Sequence, residues 1–249
     1  MRLVHLLFIV IVSSPGVAFS TDPSDHLADK QLTIHTLVRE DIFAGWRADN
    51  MDRFERGEQN VQKLLELRPD SRADLLAWRG GTELYRAVLA HESKEESKFR
   101  QHMQASKAAF AEAKKLGPDS NGVASVVGGS NAMFADRLPT EYRRAAWNSS
   151  YEGYQMLWRK QQSFVEKMPT HIRGELLAGL AQSSQRTGRN EELATYLDMI
   201  LKVLPNTPYA KVAQRWKDKP QAAITGNITC KTCHRPGRLT DRLAANTAE

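Results

Sequence analysis

Apolar residues recur every three or four positions through most of this chain, and that spacing predicts α-helices. Four such stripes stand out between residues 33 and 219. They consist of Phe54, Gly57, Val61, Leu64 and Leu65; of Phe99, Met103, Ser106, Phe110 and Ala113; of Ile172, Leu176, Leu177, Leu180 and Ala181; and of Leu193, Leu197, Ile200, Leu201 and Leu204. No stretch keeps the two-residue alternation of a strand, so we expect an all-α fold without a sheet.

A proline followed by polar residues separates the predicted helices at four places. The sequence Leu-Arg-Pro-Asp-Ser at residues 67–71 recurs as Leu-Gly-Pro-Asp-Ser at 116–120, with weaker versions at 168–170 and 204–207. Proline does not continue a helix, and a Ser, Thr or Asn after it can cap the next one. The four prolines stand 49, 51 and 36 positions apart, which indicates a repeated unit.

The shortest of these intervals is close to the period of about 34 residues in tetratricopeptide repeats, and the chain resembles that family. In the family pattern two small residues precede the proline at set distances. Counting back from the first proline gives Gly45 and Gly57 at those positions, whereas counting back from the last gives Ala181 and the larger Leu193. Small residues at these positions let the two helices of a pair approach closely.

The resemblance covers residues 34–70 and 170–206. Between them, 73–90 and 94–116 are predicted as a longer helix pair, and a last helix over 208–217 is predicted to cover the final repeat. The resemblance implies a solenoid of stacked helical hairpins, because a single pair cannot bury its own apolar face.

The N-terminus has the pattern of a secretory signal peptide. A short basic start precedes an apolar run over residues 3–12, and Ala18-Phe19-Ser20 offers small residues for cleavage before Thr21. An uncleaved anchor is the alternative, although the run is shorter than the roughly 20 residues of a membrane span. We therefore expect an exported protein of the bacterial periplasm, with no transmembrane segment after cleavage.

The charge pattern and two glycine pairs argue against nucleic-acid binding and against a phosphate-binding loop. The formal net charge is +6, or +5 without the signal peptide, which contains Arg2 and no acidic residue. Because acidic and basic residues are intermixed, we expect no nucleic-acid binding, although a mildly positive surface favours an acidic partner. Gly80-Gly81 and Gly128-Gly129 stand in helical sequence, where close helix packing is the interpretation rather than a phosphate loop. No hydrolase motif is present.

The only two cysteines belong to the motif C-x-x-C-H, formed by Cys230, Cys233 and His234. This is the attachment motif of c-type cytochromes, and the resemblance implies one covalent haem c. The two thiols would form thioether links to it, and His234 would be the proximal ligand of the iron. Two alternatives stay open: a local disulfide between the cysteines, and a zinc site of both thiolates with His234.

The second axial ligand of such a haem must come from elsewhere in the chain. Only fifteen residues follow His234, and none of them is Met or His. The tail is therefore too short for a separate cytochrome domain, and we expect the haem to pack against the repeat domain. His171, near a predicted helix start, is the first choice among the candidates His26, His35, His91, His102, His171, Met133, Met156 and Met168.

These patterns divide the chain into a signal peptide (1–20), a flexible segment (21–32), a helical-repeat domain (33–219) and a short irregular haem-binding tail (220–249). The leading hypothesis is a periplasmic monohaem protein that transfers electrons to or from a protein or peptide docked on the repeats. A second is a non-redox binding module whose cysteine pair forms a disulfide or zinc site. A third is a haem enzyme with an open coordination position.

Overall fold

A computed structural model describes Leu27 and residues 30–229 of the chain. The predicted signal peptide, most of the segment 21–32 and the motif residues Cys230, Cys233 and His234 lie outside this part. Within it, ten α-helices and no strand confirm the all-α prediction. The helices are α1 (Ile34–Ala48), α2 (Met51–Leu67), α3 (Arg72–Glu92), α4 (Glu96–Leu116), α5 (Asn121–Phe134), α6 (Thr140–Gln161), α7 (Thr170–Thr187), α8 (Asn190–Val203), α9 (Pro208–Asp218) and α10 (Gln221–Thr225).

The first eight helices pack as four hairpins: α1 with α2, α3 with α4, α5 with α6, and α7 with α8. Short loops join the two helices of each hairpin, which places them antiparallel. Contacts between α3 and α5 and between α5 and α7 then stack the first helix of one hairpin beside the first helix of the next. The array of helical hairpins predicted from the sequence is therefore present.

The predicted capping residues behave in two ways. Ser120 and Thr207 cap α5 and α9, because their hydroxyls accept the backbone N–H of Val123 (3.1 Å) and Ala210 (3.3 Å). Ser71 makes no side-chain capping bond, because Pro69–Ser71 forms a short 3-10 helix before α3. Thr170 is already the first residue of α7. The proline breaks are thus predictable, but the caps depend on the local path of the chain.

Glycines set the distance between paired helices. A Cβ on Gly45 would lie 2.5 Å from Cβ of Phe54, and one on Gly57 would lie 2.9 Å from Cγ1 of Ile42. These close approaches between α1 and α2 occur at the two small positions of the repeat pattern. In α3, Gly80 packs directly on the ring of Phe110, which confirms close helix packing for that glycine.

Both ends of the array are covered. At the C-terminal end, α9 covers the last hairpin with buried residues Tyr209, Val212, Ala213 and Trp216. At the other end Leu27 is buried, and its carbonyl accepts a 2.9 Å hydrogen bond from Nε of Arg68. None of the described helices is both long and apolar enough to cross a membrane.

Substituting Gly45 by Ala tests the close approach of α1 and α2. The new methyl group would meet the fully buried Phe54, which has no room to move, so we expect the free energy of unfolding to fall by about 2 kcal/mol. Chemical denaturation measures this loss. Gly129→Ala is the matched control, since the nearest heavy atom to its Cβ is 3.9 Å away and Ala favours the helix by up to about 1 kcal/mol. Equal stability of the two variants would contradict the proposed packing.

Candidate functional site

The stacked hairpins form a cavity of about 670 Å³ that is partly open to solvent. Its walls come from α1, α3, α5 and α7, the first helices of the four hairpins, and from one face of α6. This volume lies within the range of small-molecule and cofactor sites, roughly 300–1,000 Å³. The four-hairpin array therefore forms one inner site to which every hairpin contributes.

Aromatic rings form one wall of the cavity. Phe43 and Trp46 have ring centroids 5.3 Å apart, and Trp78 lies 6.0 Å and 6.1 Å from them. The ring of His35 lies 5.6 Å from that of Trp78 and extends the same wall. Since aromatic side chains have few rotamers and pack against one another here, this wall is a firm apolar surface for a flat ligand.

The acidic residues of the lining already have donors within the protein. Glu40 forms an ion pair with Arg39 at 2.7 Å, Asp74 accepts the hydroxyl of Ser120 at 2.8 Å, and Glu175 accepts that of Tyr209 at 2.6 Å. A ligand in the cavity therefore does not need to bring a cation to satisfy these carboxylates.

The pKa of His35 lies below the ordinary value of a histidine. Partial burial of its ring and, next, the positive charge of Arg39 lower its pKa, and Glu40 raises it less. Nη1 of Arg39 lies 3.2 Å from Nε2 of His35. Because a guanidinium only donates, that nitrogen is an acceptor already in use.

The candidate second axial ligands differ in whether they line the cavity. Three of them, His35, Met133 and His171, line the cavity. His102 lies elsewhere and pairs through Nδ1 with Glu83 at 2.8 Å. Three more candidates lie outside the lining. The ring of His91 packs on that of Phe99, and Met156 and Met168 pack against the core. His26 falls outside the described residues.

The chain that leads to the motif is fixed on the repeat domain. Arg186 of α7 donates to the carbonyls of Ala223 (2.9 Å) and Gly226 (2.7 Å). Four residues earlier in the same helix, Oε1 of Gln182 accepts the backbone N–H of Ile228 at 2.9 Å. Gln182 is itself fully buried. These bonds attach the segment 226–229 to α7.

Packing reinforces these hydrogen bonds. Ile228 is fully buried, and Thr229, the last residue before the motif, is only 4% exposed. Both the backbone N–H and the hydroxyl of Thr229 donate to Oδ1 of Asn227 at 2.9 Å. At Gly226 any side chain would run into Trp216. The position from which Cys230 continues is therefore set by the body of the protein.

Sequence reasoning missed the tail anchors, Gln182 and Arg186. A polar residue inside an apolar helix is ambiguous, because its hydrogen-bond partner cannot be known before the fold is known.

Among the described residues no group of three or more His, Cys, Asp or Glu could hold a metal ion. The sequence matches no protein-family model, no curated protein and no solved structure.

Replacing Gln182 by Met tests the tail anchor. Met keeps the shape of the side chain but leaves the buried N–H of Ile228 without an acceptor, which costs about 1–3 kcal/mol. We expect exchange of the Ile228 amide hydrogen to accelerate by roughly fivefold or more, measured by hydrogen–deuterium exchange. Gln214→Met is the control, since this side chain of α9 is exposed and bonds Asp218 of its own helix. An unchanged exchange rate at Ile228 would show that the bond does not hold the tail.

Proposed function

We propose that this chain is an exported c-type monohaem protein, in which a helical-hairpin scaffold carries one covalent haem for electron transfer. The observation that carries the proposal is the sequence Cys230-Lys231-Thr232-Cys233-His234. It places the only two cysteines at the spacing of haem attachment and a histidine directly after them. Cys230 and Cys233 would hold the cofactor, and His234 would bind its iron from the proximal side. A bound haem supplies one-electron redox chemistry.

The anchoring of the tail supports this proposal. Thr229 is buried and hydrogen-bonded, so a group bound at Cys230 begins within one residue of a fixed point. A carrier benefits from such an attachment, because a cofactor held in place presents the same edge to each partner. A long free linker would leave its orientation undefined.

The chemistry of the inner cavity suits a haem. Its aromatic wall is apolar and firm, and two kinds of axial donor, imidazole and thioether, lie in the lining. Exposed apolar Ile172, with 49% of its surface accessible, also borders the cavity. The covalent site and the cavity would together cover more of the macrocycle than the tail alone.

Export and haem attachment agree with each other. Covalent attachment of haem takes place outside the bacterial cytoplasm, and the N-terminal pattern of residues 1–20 directs the chain there. The remaining surface of the repeats would dock the redox partner, a protein or peptide. The positive net charge favours an acidic partner.

Maturation of the full chain tests the proposal. We expect protein exported in a host with a cytochrome c maturation system to have the mass of residues 21–249 plus one haem. Its reduced-minus-oxidised spectrum should show a c-type haem that acidic acetone does not extract. Cys230→Ser with Cys233→Ser should abolish both signals because no thioether can form, whereas the control His102→Ala should keep them.

Two other results would contradict the haem proposal. Wild-type protein without haem, whose mass is lower by two hydrogens, would contradict the proposal and identify a local disulfide. Bound zinc in place of haem would identify the other form of the binding-module hypothesis.

A further inference from the structure

One guanidinium in the cavity lining has no acidic partner. Arg47, in the last turn of α1, is half-buried, and its Cζ lies 4.8 Å from the centroid of the Phe43 ring in the same lining. It makes no hydrogen bond or ion pair to another residue that the structure describes. Its Nε is buried without an acceptor, whereas its two terminal nitrogens stay accessible. The outer edge of this guanidinium is therefore available to a carboxylate, which such an edge binds through two parallel hydrogen bonds.

The other charged groups of the lining are already engaged within the protein. Arg39 donates to Glu40 at 2.7 Å. Asp74 and Glu175 accept protein hydroxyls at 2.8 Å and 2.6 Å. Of the Arg, Asp and Glu side chains around the cavity, Arg47 is thus the one that lacks a polar partner among the described residues. What the lining lacks is an anion rather than a cation.

A second donor of α1 also lacks an acceptor. Trp46 lines the cavity and is 7% exposed, and its indole N–H is buried with no hydrogen-bond partner in the described part of the chain. A buried donor without an acceptor is uncommon and costs stability. Because Trp46 and Arg47 are consecutive residues, both unmatched donors lie at the same end of the α1 wall. The excess of positive charge there favours a negative group nearby.

The surroundings of Arg47 are aromatic. The ring centroids of Phe43, Trp46 and Trp78 lie between 5.3 Å and 6.1 Å from one another. Flat ring systems pack well on such rings. An ion pair beside them is also stronger than one in water, because the local dielectric constant is lower. The α1 and α3 side of the cavity thus combines an apolar surface with one unmatched cation.

We propose that this side of the cavity binds a small aromatic carboxylate. Its ring system would lie on Phe43, Trp46 and Trp78, and its carboxylate would accept hydrogen bonds from the outer edge of Arg47. The site uses no residue of the haem-attachment motif and does not rest on the proposed function. A haem lying against the cavity would compete for part of the same space, so the ligand is best measured on the full chain without haem.

Calorimetric titration with naphthoate and its neutral isostere naphthamide tests the proposal. The protein is the full chain with Cys230→Ser and Cys233→Ser, which cannot form thioether links. We expect naphthoate to bind roughly tenfold or more tightly than naphthamide, because hydrogen bonds between charged groups are the stronger ones. Arg47→Met should abolish this preference. Its affinity for naphthamide should stay unchanged, which shows that the cavity is intact. Arg144→Met, exposed on α6 and outside the lining, is the matched control and should keep the preference.

A second variant locates the ligand. Gly129 of α5 lines the cavity, and the heavy atom nearest to a Cβ on it, the hydroxyl of Tyr154, is 3.9 Å away. The side chain of Gly129→Leu therefore finds open space in the cavity and should block both probes. Undiminished binding to this variant would place the ligand elsewhere and overturn the proposal.

Three other results would overturn it as well. They are equal affinities for naphthoate and naphthamide, tighter binding of naphthylmethylammonium than of naphthoate, and loss of the preference in Arg39→Met but not in Arg47→Met. The second of these would identify a site for cations. Haem attachment is measured separately on the wild-type chain, so none of these results bears on the proposed function.

Discussion

A helical hairpin cannot bury its own apolar face, and the stacking that this forces governs the rest of the molecule. Stacking brings α1, α3, α5 and α7 to one side, where they line the cavity. The close approach at Gly45 and Gly57 fixes how far the two helices of the first hairpin stand apart. The shape of the inner surface thus follows from apolar burial and from the size of a few side chains, before any ligand is considered.

Arg186 connects this scaffold to the tail. Its guanidinium donates to two carbonyls of the tail and forms a 3.3 Å ion pair with Asp136, which follows α5. Asp136 in turn accepts the indole N–H of Trp147 in α6 at 2.9 Å. Since the Arg186 side chain is only 12% exposed, water weakens these contacts little. The segment that precedes the motif is therefore held through contacts that involve two hairpins.

Much of the fold is readable from the sequence because helices are specified locally. The predicted pair 73–90 and 94–116 agrees with α3 and α4 within two residues at each end, and the predicted last helix, 208–217, agrees with α9 within one. The site is less predictable. Gln182 and Ile228 are 46 residues apart, and periodicity shows which face of a helix is buried but not which faces converge. For the same reason the sequence could not separate His35, Met133 and His171 from the five other candidate ligands.

Anomalous X-ray diffraction at the iron K edge, from crystals of the matured protein, tests the central claim most directly. The prediction is a single iron peak next to His234 that lies against the cavity between the inner helices. An iron peak beside the tail but remote from the cavity would contradict the docking of the haem on the scaffold. Crystals without any iron peak would contradict the haem itself.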